Sequence, residues 1–126
     1  MAALGQQEIL RLFHKNLLQF LDNLITLLPN ESDLIVLRIM FRDQIPLDQA
    51  MSIFCERILP HQAKISACDE SFFIDNADLF EGLAHEKVHY FKNIWLSPSF
   101  DTDDKQAMWN WFKLFLTLAV QYKPYL

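Results

Sequence analysis

Apolar side chains recur every three or four residues over the first 28 positions of the chain, and this spacing limits the fold more than any other feature. The repeat runs from Leu4 to Leu28 and is typical of the buried stripe of an amphipathic helix. Pro29 and Asn30 follow and end the helix. Extra apolar residues widen the stripe, which predicts a central helix with neighbours on two sides. The stripe consists of Ile9, Phe13, Leu17, Phe20, Leu24 and Leu27.

Four more helices are predicted after the first, separated by short connectors. No stretch shows the alternation of apolar and polar residues that is typical of strands. Pro46 suits the first turn of the third helix, because its fixed backbone angle and missing N–H cost nothing there. The expected ranges are Leu34 to about Arg42, Pro46 to Pro60, about Ala77 to Trp95, and Asp103 to about Tyr122. The sequence therefore predicts an all-α fold, a single compact bundle of about five helices forming one domain over residues 1–126.

Two shorter segments complete this prediction. A helical turn is expected from His61 to Ser66, after Pro60 ends the third helix. The segment from Ala67 to Asn76 is interpreted as an ordered connector, because it is too short for a helix and lacks strand alternation. Phe72 and Phe73 are expected to be buried and to hold this connector in place.

Composition supports a folded intracellular protein. The chain is 52% hydrophobic and contains eleven Phe but only two Gly, which excludes a disordered chain. Cys55 and Cys68 form neither a disulfide framework nor a CxxC motif, so both are expected to be buried, reduced thiols. The first residues resemble no secretion signal, and no apolar run is long enough to span a membrane. We therefore expect an intracellular protein that binds no membrane.

The charge pattern argues against binding to nucleic acid. The net charge is -5, and the eleven Lys and Arg residues are scattered from Arg11 to Lys123. A nucleic-acid interface needs a basic stripe or groove that neutralises phosphates. The sequence offers none, so the expected partner is a protein.

One segment matches the HExxH pattern of zinc hydrolases, through His85, Glu86 and His89. On a helix, histidines four residues apart face the same way and can share a zinc ion, while the glutamate activates a water molecule. A catalytic zinc also needs a third protein ligand, and Lys92 and Trp95 occupy the glycine and histidine positions of the extended motif. We interpret the segment as a polar helix face without metal or cofactor, and keep a zinc hydrolase as the alternative.

Aromatic residues of the last helix are the best candidates for a binding surface. Trp109 and Phe112 lie three residues apart, whereas Trp111 and Phe115 lie on a face rotated away from them. One buried stripe cannot hold all four, and exposed aromatic patches mark protein interfaces. The alternative is that two neighbouring helices enclose this helix and bury both faces. The candidate interaction residues are Trp109, Trp111, Phe115, Tyr122 and Tyr125.

Several of these features occur together in one group of proteins. A Phe- and Leu-rich first helix ends near a proline, an Asp-Glu-Ser-Phe-Phe connector precedes an acidic segment, and an acidic turn leads into a final helix that opens with Trp. The positions are Asp69 to Phe73, Asp75 to Glu81, Phe91 to Trp95 and Asp103 to Phe112. In these respects the chain resembles small, uncharacterised helical proteins encoded by nucleocytoplasmic large DNA viruses of algae and protists.

The resemblance implies a viral setting and an interaction role, and it supplies no catalytic residues. The protein is accordingly expected in the host cytoplasm or the viral factory, or packaged in the virion. Its expected function is protein–protein interaction, as a minor virion or capsid-associated component that binds a viral structural protein or a second copy of itself. An adaptor in viral replication, transcription or host-regulation complexes is the second hypothesis, and the zinc hydrolase is the third.

Overall fold

The computed structural model describes residues 5–74, 92–93 and 95–126 of the chain, and for residues 73 and 74 the backbone alone. Every regular element in these ranges is helical, which confirms the predicted all-α class. None of the helices there is both long enough and apolar enough to cross a membrane. The helices are α1 (Gln6–Leu27), α2 (Ser32–Ile39), α3 (Leu47–Ile58), α4 (Gln62–Ser66), α5 (Ser71–Ile74) and α6 (Thr102–Tyr122).

Two tighter or wider helical turns join these elements, and a third follows α6. Met40–Gln44 forms a π-helical turn, and Leu59–His61 and Lys123–Tyr125 form 3-10 turns. By internal contacts the chain divides into two compact units. Unit 1 contains Met1–Glu56 and Leu118–Leu126, and unit 2 contains Arg57–Thr117. Helices α3 and α6 each contribute residues to both units.

The first helix of unit 1 has nearly the predicted bounds. It begins after Gly5, whose carbonyl accepts the N–H of Ile9 at 3.0 Å, and it ends where the Leu28 N–H reaches the Leu24 carbonyl at 2.8 Å. Burial stops earlier than predicted, because Leu24 is half-buried and Leu27 is 41% exposed. The buried face consists of Ile9, Leu10, Phe13, Leu17, Phe20 and Leu21.

Helix α2 is shorter than predicted and passes into a wider turn. The prediction placed its end near Arg42, but the α-helical pattern stops at Ile39 and continues as the π-helical turn. The Ile45 N–H donates to the Met40 carbonyl at 2.9 Å, a bond that spans five residues. Asp22 of α1 accepts two hydrogen bonds from the Arg38 guanidinium, at 2.6 and 3.2 Å, and so ties α2 to α1.

Three contacts connect α1, α3 and the end of α6 within unit 1. The rings of Phe13 and Phe54 meet edge to face, with 5.2 Å between their centroids. The Cys55 sulfur lies 3.9 Å from the Ala119 carbonyl oxygen. At the end of α6, the Gln6 side-chain amide donates to the Tyr122 hydroxyl at 3.3 Å. The buried face of α1 thus packs in a core that includes residues from both ends of the chain.

In unit 2, the connector after α4 contains a helix end and a new helical turn. The Cys68 N–H donates to the Ile65 carbonyl and the Asp69 N–H to the Lys64 carbonyl, the pair of bonds that defines a Schellman motif. Asp69 then accepts the Ser71 N–H at 3.0 Å, and α5 follows. The expectation of a wholly non-helical connector is therefore wrong for Ser71–Ile74, because Asp69 supplies a capping oxygen that restarts the helix.

The last helix begins close to its predicted position, and the predicted acidic residues cap its N-terminus. The Asp104 N–H donates to the Asp101 side chain at 2.9 Å, and the Asp101 N–H donates to the Asp104 side chain at 3.2 Å. Such reciprocal bonds form a capping box. Upstream, the predicted break at Ser97-Pro98-Ser99 is a turn in which the Phe100 N–H reaches the Ser97 carbonyl at 3.1 Å. The predicted fourth helix lies mostly outside the described residues, and residues 92–93 and 95–96 near its end are helical.

Candidate protein-binding surfaces

The aromatic side chains of α6 in unit 2 are mostly buried, contrary to the expectation of an exposed aromatic face. Trp109 is 5% exposed, Phe115 is fully buried, and Phe112 is buried between them along the helix. Trp111 is half-buried and stacks on Phe115 with 6.1 Å between ring centroids. Of these four side chains, only Trp111 is exposed enough to contact a partner. The alternative in which α6 is enclosed on more than one side agrees with this burial.

Phe72 packs against two of the buried α6 aromatics. Its side chain is fully buried, and its ring lies 5.5 Å from Phe112 and 6.4 Å from Trp109. His61 approaches the same ring at 5.6 Å. The predicted burial of Phe72 is confirmed, while the side chain of Phe73 lies outside the described part of the chain. An aromatic residue from α5 therefore covers the side of α6 that carries Trp109 and Phe112.

The last two predicted interaction residues differ from each other. Tyr122 is 2% exposed, and its hydroxyl accepts the hydrogen bond from Gln6, so the expectation of an exposed Tyr122 is wrong. Tyr125 is 43% exposed and packs against the Tyr122 ring at 5.7 Å. Tyr125 thus stays a candidate for partner contact, together with Trp111.

The clearest apolar surface in the described residues lies on α2, where the sequence analysis proposed no site. Three of its aliphatic side chains are exposed, Ile35 by 47%, Val36 by 55% and Ile39 by 40%. We call these three residues the α2 face. Only Leu34 of this helix is buried, at 5% exposure.

Helix geometry places the three exposed residues side by side. Each residue turns an α-helix by about 100°, so Ile35, Val36 and Ile39 fall within an arc of about 100°. On the opposite side, Leu34 is buried, and Leu37 and Arg38 are half-buried. The α2 face therefore presents a contiguous aliphatic strip on the solvent side of the helix.

Two arginines near this strip are each paired with a carboxylate. Arg38 forms its two hydrogen bonds with Asp22, and the Arg42 guanidinium lies 2.7 Å from the Asp43 carboxylate. The hydrogen bond from Arg42 lowers the pKa of Asp43 below its ordinary value, and the same contact raises the pKa of Arg42. The Arg42–Asp43 pair therefore stays ionised at neutral pH.

The two cysteines differ in burial. Cys55 is buried, and burial raises the pKa of its thiol to about 11, so the thiol stays protonated at neutral pH. Cys68 is only half-buried, which corrects the expectation that both thiols are buried. Within the described ranges, no three His, Cys, Asp or Glu side chains are grouped as a metal site requires. The proposed zinc residues His85, Glu86 and His89 lie outside those ranges.

The sequence carries a signal for the α2 face in its number of apolar residues. Five of the eight residues of α2 are apolar, which is more than one side of two turns can bury against a single neighbour. All the candidate interaction residues named above are aromatic, so the aliphatic residues of α2 were not among them. This excess of apolar residues over the buried side of the helix indicates an exposed apolar face on α2.

Comparisons with protein-family models, curated proteins and solved structures found no significant match to this chain.

Proposed function

We propose that this chain functions by binding another protein and that the α2 face is the surface that does so. The observation that carries the proposal is the exposure of three adjacent aliphatic side chains, 47%, 55% and 40%, on one side of one short helix. Single exposed apolar residues are ordinary, whereas a contiguous apolar group points to an interaction site. Trp111 and Tyr125 are the supplementary contact candidates.

The proposed setting is a large DNA virus, and it rests on the resemblance of Asp69–Phe73 and the flanking segments to the viral proteins described above. In that setting the protein is a minor virion or capsid-associated component, located in the host cytoplasm or the viral factory. We also propose that the chain forms one helical domain of about five helices, supported by the fact that α3 and α6 contribute residues to both compact units.

The test is co-purification of viral and host proteins with tagged chain variants from infected cells. The variant Ile35→Ser with Val36→Ser removes most of the α2 face, while Leu96→Ser removes an apolar side chain of similar exposure, 58%, from unit 2. Exposed substitutions of this kind change stability by about 0.5 kcal/mol or less, so both variants should stay folded.

We expect the wild type and Leu96→Ser to retain the same specific partner and the α2 variant to lose it. If the α2 variant retains every partner, the α2 face is not the binding surface. The helical circular dichroism of each variant provides the control for folding.

A further inference from the structure

Residues 97–101 form a surface turn between the helical residues 95–96 and the start of α6. We propose that Ser97 in this turn is a phosphorylation site, which a proline-directed protein kinase modifies with ATP, and that its phosphate loosens the turn in front of α6. The proposal is independent of the α2 face, because every residue that carries it belongs to unit 2.

Ser97 has the sequence context that one class of serine kinases selects. Of the five prolines in the chain, only Pro98 follows a serine or threonine. Kinases of the proline-directed class bind the residue after the acceptor in an apolar pocket without a hydrogen-bond acceptor. Proline suits this pocket because it has no backbone N–H, whereas any other residue would leave its N–H unpaired. The pair of Ser97 and Pro98 therefore identifies the class of kinase.

The structure presents the Ser97 hydroxyl in an exposed turn. Ser97 is half-buried, and Pro98 and Ser99 are exposed. The Ser97 hydroxyl oxygen lies 2.8 Å from that of Ser99 and accepts the Ser99 N–H at 3.2 Å, and both contacts are exposed to solvent. A kinase must place the acceptor hydroxyl in line with the γ-phosphorus of ATP. Water can replace the two hydrogen bonds that have to open for this, so the hydroxyl is accessible.

The reaction is the transfer of one phosphoryl group to Ser97. The Oγ atom forms a bond to the γ-phosphorus of ATP, the bond from that phosphorus to the bridging oxygen breaks, and ADP leaves. The hydroxyl proton passes to the catalytic aspartate of the kinase. The product is a phosphoserine that carries a charge of about −1.5 to −2 at neutral pH.

The added phosphate is placed among groups that disfavour it. The Phe100 N–H donates to the Ser97 carbonyl and closes the turn, and the capping box of Asp101 and Asp104 follows directly. A phosphate at the C-terminal end of a helical segment and close to aspartates is destabilised by the helix dipole and by repulsion. Modification also removes the hydroxyl proton of Ser97. We therefore expect the phosphate to open the turn.

The positive charges nearest to Ser97 in sequence do not offset this repulsion. Lys105 lies 3.3 Å from the Glu70 carboxylate and over the ring of Trp95, and it would have to give up both contacts to pair with the phosphate. Lys92 precedes Ser97 by five residues, which is more than one helical turn.

Opening of the turn would disturb the aromatic core of unit 2. The Phe100 ring lies 5.6 Å from the Trp95 ring, and Trp95 meets Trp109 of α6 edge to face at 5.8 Å. Two of the three tryptophans of the chain thus lie next to the turn or one contact away from it. Tryptophan fluorescence therefore reports on the state of the turn.

The test is phosphorylation of the full-length chain by a purified mitogen-activated protein kinase with ATP and Mg²⁺. Intact-mass and tandem mass spectrometry count and locate the phosphates. The variants are Ser97→Ala, which removes the acceptor, Pro98→Ala, which restores an N–H, and Ser99→Ala, which removes the neighbouring hydroxyl as the matched control. A short peptide with a Ser-Pro pair shows that the kinase is active.

We expect one phosphate on Ser97 in the wild type and in Ser99→Ala, and none in Ser97→Ala. The rate should be at least about tenfold lower for Pro98→Ala, because an unpaired N–H is costly in an apolar pocket. A wild-type chain without phosphate on Ser97, under conditions that modify the peptide, would overturn the site. Equal rates for the wild type and Pro98→Ala would overturn the kinase class.

Urea denaturation followed by tryptophan fluorescence tests the effect of the phosphate. We expect a lower midpoint for the phosphorylated chain than for the unmodified chain. The difference should shrink in about 0.5 M salt, because salt screens the repulsion. Ser97→Ala treated with the kinase should show no change. An unchanged or higher midpoint for the phosphorylated wild type would overturn the proposed loosening of the turn.

Discussion

Cys68 has a backbone conformation that its side chain disfavours. Its φ is +54°, in the left-handed region, and it occupies the position of the Schellman motif where glycine is most common. A side chain with a Cβ atom costs about 1 to 2 kcal/mol in this conformation. The cost is local and is offset by the two backbone hydrogen bonds that close α4.

The first prediction is that Cys68→Gly stabilises the protein, because glycine removes the Cβ clash in the left-handed conformation. We expect Cys68→Gly to exceed Cys68→Ala in free energy of unfolding by about 1 kcal/mol. Urea denaturation of the two variants measures the difference, and the alanine variant controls for loss of the thiol. Equal stability of the two variants would show that φ at this residue is not positive in solution.

The second prediction concerns His85 and His89, which the structure does not describe. Two imidazoles supply half of a tetrahedral zinc site, and the sequence shows no third ligand at a spacing that brings it close. Purified protein should therefore contain no stoichiometric zinc by plasma mass spectrometry. His85→Ala with His89→Ala should leave the thermal midpoint nearly unchanged.

The opposite outcome for these histidines would be equally informative. One such outcome is one zinc per chain after dialysis against a weak chelator, together with a peptide cleavage that Glu86→Gln abolishes while the zinc is retained. These results would show that the protein is a metallohydrolase, and the proposed protein-binding function would be wrong.

At the scale of single elements, the helix ends of unit 2 depend on side-chain oxygens. Asp101 and Asp104 cap α6 reciprocally, and Asp69 caps the turn that becomes α5. The Ser71 backbone N–H lowers the pKa of Asp69 below its ordinary value, as a bond to the charged carboxylate should. The folded state thus favours an ionised Asp69.

The third prediction follows from the α6 capping box. Asp101→Ala and Asp104→Ala should each lower the free energy of unfolding by about 1 kcal/mol. Their effects should be less than additive in the double variant, because each carboxylate bonds to the backbone of the other residue. Asp103→Ala, in the same turn but outside the box, should cost only a few tenths of a kcal/mol through the helix dipole. Chemical denaturation of the four variants measures these values, and fully additive losses would argue against the box.

The ends of a helix were predicted well where the signal lay within that helix. The prediction failed where the end of a helix depended on other contacts. The periodicity of α1 and the acidic start of α6 lie within one helix, and both were located within about two residues. The π-helical turn after Ile39 and the helical turn at Ser71–Ile74 escaped prediction. Their formation depends on particular backbone bonds, from Ile45 to Met40 and from Ser71 to Asp69, that no apolar pattern encodes.

At the scale of the whole molecule, exposure was the hardest property to predict. Helical geometry separated the faces of α6, but Trp109 and Phe112 pack against Phe72, which lies more than thirty residues away in sequence. Trp109, Phe115 and Tyr122 are buried by partners that the helix's own periodicity does not reveal. The α2 face was missed for a different reason, since every candidate interaction residue was aromatic.

The fourth prediction tests whether the chain unfolds as one domain. All three tryptophans, Trp95, Trp109 and Trp111, belong to unit 2, so their fluorescence reports on that unit alone. Far-ultraviolet circular dichroism reports on helices of both units. Since α3 and α6 each contribute residues to both units, we expect the two probes to give coincident urea transitions. Separate midpoints would show two independently folding units.

The central claim, binding through the α2 face, is tested most directly by site-specific photo-crosslinking in infected cells. A photoreactive amino acid replaces Val36 in one variant and Leu96 in another, both exposed by more than half. We expect the probe at position 36 to give one discrete adduct with a second protein and the probe at position 96 to give none. Adducts of the same pattern and yield at both positions, or an adduct at position 96 alone, would contradict the account.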